Sequence, residues 1–387
     1  MHRNLRILMF CPQFRPLVGG YERAAERLAL ELSRQGHHVD VVTERRDPAW
    51  PKVESLEDVT LYRLWCRADP KWHTPTAALS LVWFFLRRAR QYDVIHIHQY
   101  GPTAAVAIAM GHWLGKKVVL KLTNTGEYGL DAALPRSALG RRIRTLHRSV
   151  DACVATSARA AAEAKAFGIA ENRIYQIPNA LDVERFRPPS PQEKKEAREA
   201  LGLQADLIAL NVCRLAREKN QTLLVDAWLD FQSSATDAAL AILGDGPLKS
   251  TLESQIDAAE LKSSVHLLGH VADPRPWYWS ADFFVLSSDS EGLSNSLMEA
   301  LCCGLPMVST RVSGSEDIAA EAEVGLLVEP GDRQALTEAL RRMVADPQWR
   351  AECGSRSRTY AEAQYALGVV AEKTLALYRE ILSDRGA

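Results

Sequence analysis

The sequence predicts an α/β protein of two doubly wound domains, each a parallel sheet covered by helices on both faces. Three observations predict it. Short apolar runs rich in strand formers alternate with amphipathic helical stretches from one end of the chain to the other. The strand runs are almost continuously apolar, as strands buried on both faces must be. The length of 387 residues, with 47% apolar and 25% charged residues, suits two ordinary globular domains.

Residues 5–11 read as the first strand. A turn through Pro12, Pro16 and Gly19-Gly20 leads to an amphipathic helix from Tyr21 to Gln35, which Gly36 closes. A strand at 37–43 and another at 59–65 flank a looser section with Pro48 and Pro51. A helix near 74–90, a strand at 93–99, a helix at 103–115 and a strand at 117–123 follow. A Gly-rich loop, 124–135, precedes a basic helix ending near His147, then a strand at 151–157, a helix at 157–168 and a short strand at 173–178. Residues 188–202 are polar, charged and rich in proline, and read as the domain boundary. A second alternating series has strands at 206–212, 238–244, 264–270, 281–288, 305–310 and 324–330. Helices near 332–345, 347–365 and 369–383 close the chain. Two such domains imply a cleft between them, with ligands at the carboxyl ends of the strands that face it.

The seven cysteines form no CxxC pair and lie mostly in apolar runs, which predicts reduced core residues of a cytoplasmic protein. The first residues run straight into a strand without a signal-peptide layout, and the longest apolar run, 77–86, is too short to span a bilayer. A soluble protein is expected. The net charge of −1 hides an asymmetry: residues 1–185 hold 27 Lys+Arg against 18 Asp+Glu, and residues 186–387 hold 20 against 30. The first half is therefore a candidate to meet something anionic; mutual attraction of two oppositely charged surfaces is the alternative. Leu79, Trp83, Phe84 and Phe85 next to Arg87, Arg88 and Arg90, with a second basic set from Arg136 to Arg148, suit peripheral contact with an anionic membrane. Core packing with a solvated basic face is the reading these residues favour. No metal-ligand spacing, Walker loop or GxSxG elbow is present, and nucleic acid is not an expected partner.

The chemistry centres on residues 288–310, SDSEGLSNSLMEALCCGLPMVST. They read as a strand end, a polar turn, a short helix capped by Ser294, Asn295 and Ser296, and the next strand. A free helix N-terminus at the carboxyl end of a strand favours anions, and the acids Glu291 and Glu299 suit sugar hydroxyls. Arg214 and Lys219, just after the first strand of the second series, can clamp a diphosphate and stabilise it as it leaves; a solvated helix start is the bland alternative. Gly19-Gly20 lets backbone approach a phosphate or merely serves the turn. Asp245, in Gly244-Asp245-Gly246-Pro247, reads as a turn cap before a helix opening at Pro247. His98, Tyr100 and Thr123 end strands of the first domain, with His96 taken as turned to the opposite side of the sheet from His98.

Together these stretches resemble the retaining glycosyltransferases of family 4, which have the GT-B fold, over nearly the whole chain. The family's Glu-x7-Glu pattern matches Glu291 and Glu299 in EGLSNSLMEALCCGLP, its Gly-Gly-x-Glu opening matches Gly19 to Glu22, and IPNALDVERF, NVCRLAREKN and LGDGP match further segments in order. The resemblance implies two Rossmann-like domains. An acceptor-binding domain at 1–187 takes a final helix, about 366–387, packed back on it, and a donor-binding domain spans 188–365. It implies metal-independent hexosyl transfer from a UDP or GDP sugar to a glycan, lipid-linked or small-molecule acceptor, in cell-envelope polysaccharide synthesis. The nucleotide sugar is a co-substrate, and no cofactor is implied. Arg214 and Lys219 would hold the diphosphate, with Gly292, Leu293, Ser294, Asn295 and Ser296 on its other side and Gly19 and Gly20 approaching it. Glu299 would take the ribose, Glu291 the transferred sugar, and His270 and Val271 would flank the base. Two departures stand out. Ser294 replaces a glycine, and Thr123 stands where many members carry a histidine, which shifts the acceptor side to His98, Lys121 or Asn124. A relative that hydrolyses or epimerises a sugar nucleotide, or one that only binds it, is the alternative; the two acids and two cations argue against binding alone.

Overall fold

The computed structural model describes residues 3–17, 19–126, 129–232 and 237–384. Residues 127 and 128 of the predicted Gly-rich loop lie outside the described residues. The chain divides into two compact units, 1–180 with 367–387, and 181–366.

The first unit holds a sheet of eight strands: β1 (Arg6–Phe10), β2 (His38–Arg45), β3 (Val53–Leu56), β4 (Val59–Trp65), β5 (Val94–Ile97), β6 (Lys117–Lys121), β7 (Ala152–Ala155) and β8 (Ile174–Gln176). Their order is β3-β4-β2-β1-β5-β6-β7-β8, with every pair parallel except β3 with β4. The antiparallel β3 was not foreseen. It lies in the looser section after Pro51, and its alternating exposure marks it as an edge strand without the continuous apolar signal of its neighbours. One face of the sheet packs with helix Gly20–Arg34 and helix Leu367–Ser383, through residues such as Met9, Leu28, Leu375 and Ile381. The other packs with helices Pro70–Arg88, Pro102–Trp113 and Ala138–Arg148 through Phe10, Phe85, Ile108 and Ile143.

The second unit holds a six-stranded parallel sheet: β9 (Leu207–Val212), β10 (Ala238–Leu243), β11 (Val265–Leu267), β12 (Phe283–Leu286), β13 (Met307–Thr310) and β14 (Gly325–Val328). The order β11-β10-β9-β12-β13-β14 reverses direction between β9 and β12, the switch point at which such sheets bind ligands. Both faces are filled, one around Leu210, Phe284 and Leu301, the other around Leu240, Trp228 and Val308.

The chain passes between units at 180/181, seven residues before the position read from the sequence, because Leu181 and Phe186 are buried in the second unit's core. The Leu181 N–H donates to the Tyr365 carbonyl at 2.7 Å, so the two passages lie side by side. The predicted boundary segment is itself largely a helix, Pro191–Ala200. Ser190 accepts from the Glu193 N–H while the Glu193 carboxylate accepts from the Ser190 N–H, a reciprocal cap that starts a helix in a strongly polar stretch. Lys194 and Arg198 then bind Asp282 at 2.8 and 2.6 Å, fixing the helix ahead of β12.

Candidate active site

The second-unit site forms where the loops after β9 and β12 meet. Asn220 takes a left-handed conformation at φ 48°, which ends the turn Arg217–Lys219 and aims its amide at Asp289, 2.9 Å away. The Asp289 N–H donates to the Glu218 carbonyl at 2.9 Å, and the Ser287 hydroxyl to the Lys219 carbonyl at 3.0 Å. The two loops are thus one stitched unit. Lys219 donates to Glu291 at 2.6 Å, with side-chain exposures of 18% and 12%, and the Ser288 hydroxyl donates to the same carboxylate oxygen at 3.1 Å. A cation and an anion so placed are desolvated enough for their attraction to matter and open enough to be reached.

The other predicted residues sort clearly. Arg214 is exposed and turned to Glu218 at 2.5 Å, so the structure brings it to an acid that the sequence reading left without a role. Ser294 caps helix Asn295–Cys302: its hydroxyl accepts from the Leu297 N–H at 3.4 Å and lies 3.0 Å from the Ser296 hydroxyl. Ser294 therefore starts the helix. Gly292 is buried and its carbonyl accepts from the Gly314 N–H at 2.8 Å, while Leu293 packs on the core. Glu299 is buried within the helix, and the Tyr278 hydroxyl donates to it at 3.1 Å. Burial, then the neighbouring Glu299 charge, pushes the Tyr278 phenol well up, which keeps it a donor. Tyr278 was not foreseen, and an aromatic in RPWYWS carries no polar signal that would have singled it out. His270 is exposed and Val271 half-buried, on the segment after edge strand β11.

The neighbouring turn is locked by backbone. The Gly244 N–H donates to the Gly269 carbonyl at 2.8 Å, and the Leu215 N–H donates to the Asp245 carbonyl at 3.0 Å. Asp245 accepts from the Gly246 N–H within the turn but does not cap the helix, which opens at Lys249 instead of Pro247 with Leu248 at its N-cap. A Cβ on Gly244 would stand 1.8 Å from the Cys213 carbonyl oxygen, at φ +143°. Gly244→Ala is expected to lower the stability of the second unit by roughly 1–3 kcal/mol through backbone strain, read as a shift in its denaturant midpoint; an unchanged midpoint would refute the close approach.

In the first unit, Gly19 precedes helix Gly20–Arg34 in extended conformation. A Cβ there would lie 2.3 Å from a Glu22 carboxylate oxygen, so the glycine makes room for a buried acid whose pKa burial raises. His98 continues β5, its N–H donating to the Phe10 carbonyl at 2.9 Å. His96 and His98 do not face opposite sides: residues two apart on a strand share a face, and the ring centroids are 4.1 Å apart. The His96 Nδ1 lies 2.6 Å from the Tyr378 hydroxyl of the returning helix. Burial, reinforced by Lys121, pushes His96 down to about 3; His98 is pushed well below the usual range by burial, then by His96 and Lys121. Burial likewise pushes the Lys121 ammonium down to about 8. Thr123 and the exposed Asn124 follow β6, beside the Tyr100 hydroxyl. Cys11, Glu22, His98 and Lys121 thus lie at the carboxyl side of β1, β5 and β6, at the switch point between β1 and β5. Among the described residues no three His, Cys, Asp or Glu are grouped to hold a metal ion, and no helix is long and apolar enough to cross a membrane.

Comparison with known proteins bears on the family and the fold. The family model described as Glycosyltransferase Family 4 matches residues 18–185, and that described as Glycosyl transferases group 1 matches 193–360. A GDP-mannose-dependent monoacylated alpha-(1-6)-phosphatidylinositol monomannoside mannosyltransferase of Corynebacterium glutamicum is 29% identical over 96% of this chain and 97% of its own. The N-acetyl-alpha-D-glucosaminyl L-malate synthase of Bacillus anthracis is 23% identical over 95% and 96%. The crystal structure of Anabaena HepE in complex with UDP superposes with a TM-score of 0.80 at 19% identity, over 97% of this chain and 100% of that one. The two matched segments account for most of the chain, and the chain belongs to the family-4 glycosyltransferases, with the GT-B fold.

Proposed function

We propose that the protein transfers a hexose from a UDP or GDP sugar to a glycan, lipid-linked or small-molecule acceptor of the cell envelope. Transfer proceeds with retention at the anomeric carbon and needs neither metal nor cofactor. The observation that carries this reading is the Lys219–Glu291 pair beside the start of helix Asn295–Cys302, at the β9/β12 switch point. Lys219 and Arg214 stabilise the departing diphosphate, which backbone N–H groups of 292–296 hold from the other side. Glu291 takes hydroxyls of the transferred sugar, Glu299 the ribose, and His270 and Val271 flank the base. Gly19 and Gly20 open a helix of the first, acceptor-binding unit, where His98, Thr123 and Asn124 meet the acceptor. The donor phosphate takes the acceptor proton, so the neutral, buried His98 orients the acceptor instead of carrying charge. The names of the relatives support a nucleotide-sugar donor, GDP-mannose in one and UDP bound in another, with acceptors from a phosphatidylinositol mannoside to L-malate. The protein works in the cytoplasm, with peripheral contact between its basic first unit and an anionic membrane.

The test is a thermal-shift screen of sugar nucleotides followed by turnover with the donor it selects. Free nucleoside diphosphate is released only when acceptor is present, and the product's anomeric proton coupling matches the donor's. Equal release without acceptor would overturn transfer. Glu299→Ala is expected to weaken nucleotide binding by about 1.5–3 kcal/mol, the worth of a hydrogen bond to a charged group. Calorimetry showing wild-type affinity would remove Glu299 from the site.

A further inference from the structure

Helix Pro70–Arg88 is apolar on two faces. Ala77, Leu81, Phe84 and Phe85 are buried in the first unit's core, as one face of a covering helix should be. Trp72, Leu79, Trp83 and Leu86 are nevertheless 54, 67, 56 and 52% exposed. At 3.6 residues per turn these four fall within about 60° around the axis and run about 21 Å along it. Singly exposed apolar residues need no explanation, but an ordered stripe with two tryptophans does. The stripe also has neighbours. Helix Pro102–Trp113 lies beside this helix and exposes Trp113, and the next one, Ala138–Arg148, exposes Leu139.

The charge around the stripe is one-sided. Residues 70–150, which carry all three helices, hold twelve Lys+Arg against three Asp+Glu. The Arg87 guanidinium stacks 3.6 Å from the Trp83 ring centroid, and Arg67 lies 6.0 Å from that of Trp72. Arg136, Arg141 and Arg142 are exposed on and before the third helix. Tryptophan with stacked arginine suits a boundary where an apolar ring meets acyl chain and a cation meets phosphate.

We infer that this three-helix face docks on the surface of an anionic phospholipid bilayer, with Trp72, Leu79, Trp83 and Leu86 entering the headgroup–acyl boundary and the surrounding arginines on lipid phosphates. The inference rests on the proposed membrane contact and assigns it to a surface. A second copy is a poor occupant, because a two-fold interface would set the same basic excess against itself. A bilayer supplies the two things the face presents for, a continuous apolar layer under a negative surface.

The full-length protein is tested by co-sedimentation with vesicles of phosphatidylcholine containing 30% phosphatidylglycerol, and with pure phosphatidylcholine, at about 50 mM and 500 mM NaCl, within and beyond the range where salt screens such attraction. The protein binds the anionic vesicles at low salt, and binding falls at high salt and on neutral vesicles. W72A/W83A loses roughly tenfold or more in partitioning, and R87Q/R88Q/R90Q flattens the salt dependence. Both variants keep wild-type nucleotide affinity, since neither alters the second-unit site, and circular dichroism verifies their fold. If the wild type ignores anionic vesicles, the membrane reading itself falls. If it binds and W72A/W83A binds equally, this face is wrong while the membrane reading stands. Loss of a concentration-dependent dimer in W72A/W83A, without vesicle binding by the wild type, would instead assign the stripe to a second copy.

Discussion

Lys219→Ala lowers turnover by one to three orders of magnitude while leaving nucleotide affinity less affected, roughly the worth of one stabiliser of charge that develops on a leaving group. The expectation comes from where the lysine is held. Its backbone carbonyl is pinned by Ser287, the following Asn220 by Asp289, and its ammonium by Glu291 at 2.6 Å, so the cation has little freedom to follow a mobile ligand. A fixed cation gains most when charge arrives at a fixed place, which is the case as a diphosphate departs. A structural ion pair would behave otherwise. Removing Lys219 would then cost stability by leaving the half-buried Glu291 without its cation, and Glu291→Gln/Lys219→Ala would recover the loss. Under the catalytic reading the double variant recovers stability but stays slow. Near-normal turnover of Lys219→Ala with a shifted melting point would remove it from the reaction.

The fold was legible where the signal is local. Each of the six strands in the second unit was readable from its apolar run, and the order of loops at the β9/β12 switch point follows from strand alternation. The residues that carry chemistry were legible as types at strand ends, but their partners were not. Lys219 and Glu291 are 72 positions apart, and nothing in either segment names the other. Glu218, four positions after Arg214, is the acid that holds it, and an acid within a basic run carries no signal of that role. Helix Pro191–Ala200 was read as a boundary on composition, although its Ser190–Glu193 cap was visible in the sequence. Local cap chemistry outranks polarity there, and tertiary pairing outranks both at the site.

The first unit is expected to lose stability steeply as pH falls from 7 to 5. His96, His98 and His147 all belong to it, and all are at most 1% exposed. Burial pushes His147 down to about 4, against a smaller upward pull from the Ile143 carbonyl, and His96 to about 3. The hydrogen bonds of His147 leave no room for a second proton: Nδ1 faces the Ile143 carbonyl at 2.8 Å, so it is the donor, and Nε2 accepts from the Gly101 N–H at 3.2 Å. For each of the three the folded value lies below the ordinary value of about 6.5. Below that pH the unfolded chain takes up a proton that the folded unit refuses, so ΔG of unfolding falls with pH at up to about 1.4 kcal/mol per unit for each imidazole. From pH 7 to 5 this comes to about 2 kcal/mol each for His96 and His147, large beside a domain's total stability of roughly 5–15 kcal/mol. His98 and His37, also pushed down by burial, act in the same direction, and the carboxyls of Glu22, Glu26 and Glu44, which burial raises, act in the opposite one. Among the described residues of the second unit no histidine is buried, and the transition of that unit serves as the reference over the same range. Calorimetry or hydrogen exchange resolved by unit at pH 7 and pH 5 separates the two. His147→Gln, which can keep both hydrogen bonds without titrating, should reduce the acid sensitivity of the first unit by that one group's contribution, about 2 kcal/mol between pH 7 and 5. A first-unit transition that does not move between pH 7 and 5 would show that these imidazoles take up protons in the fold as they do in the unfolded chain.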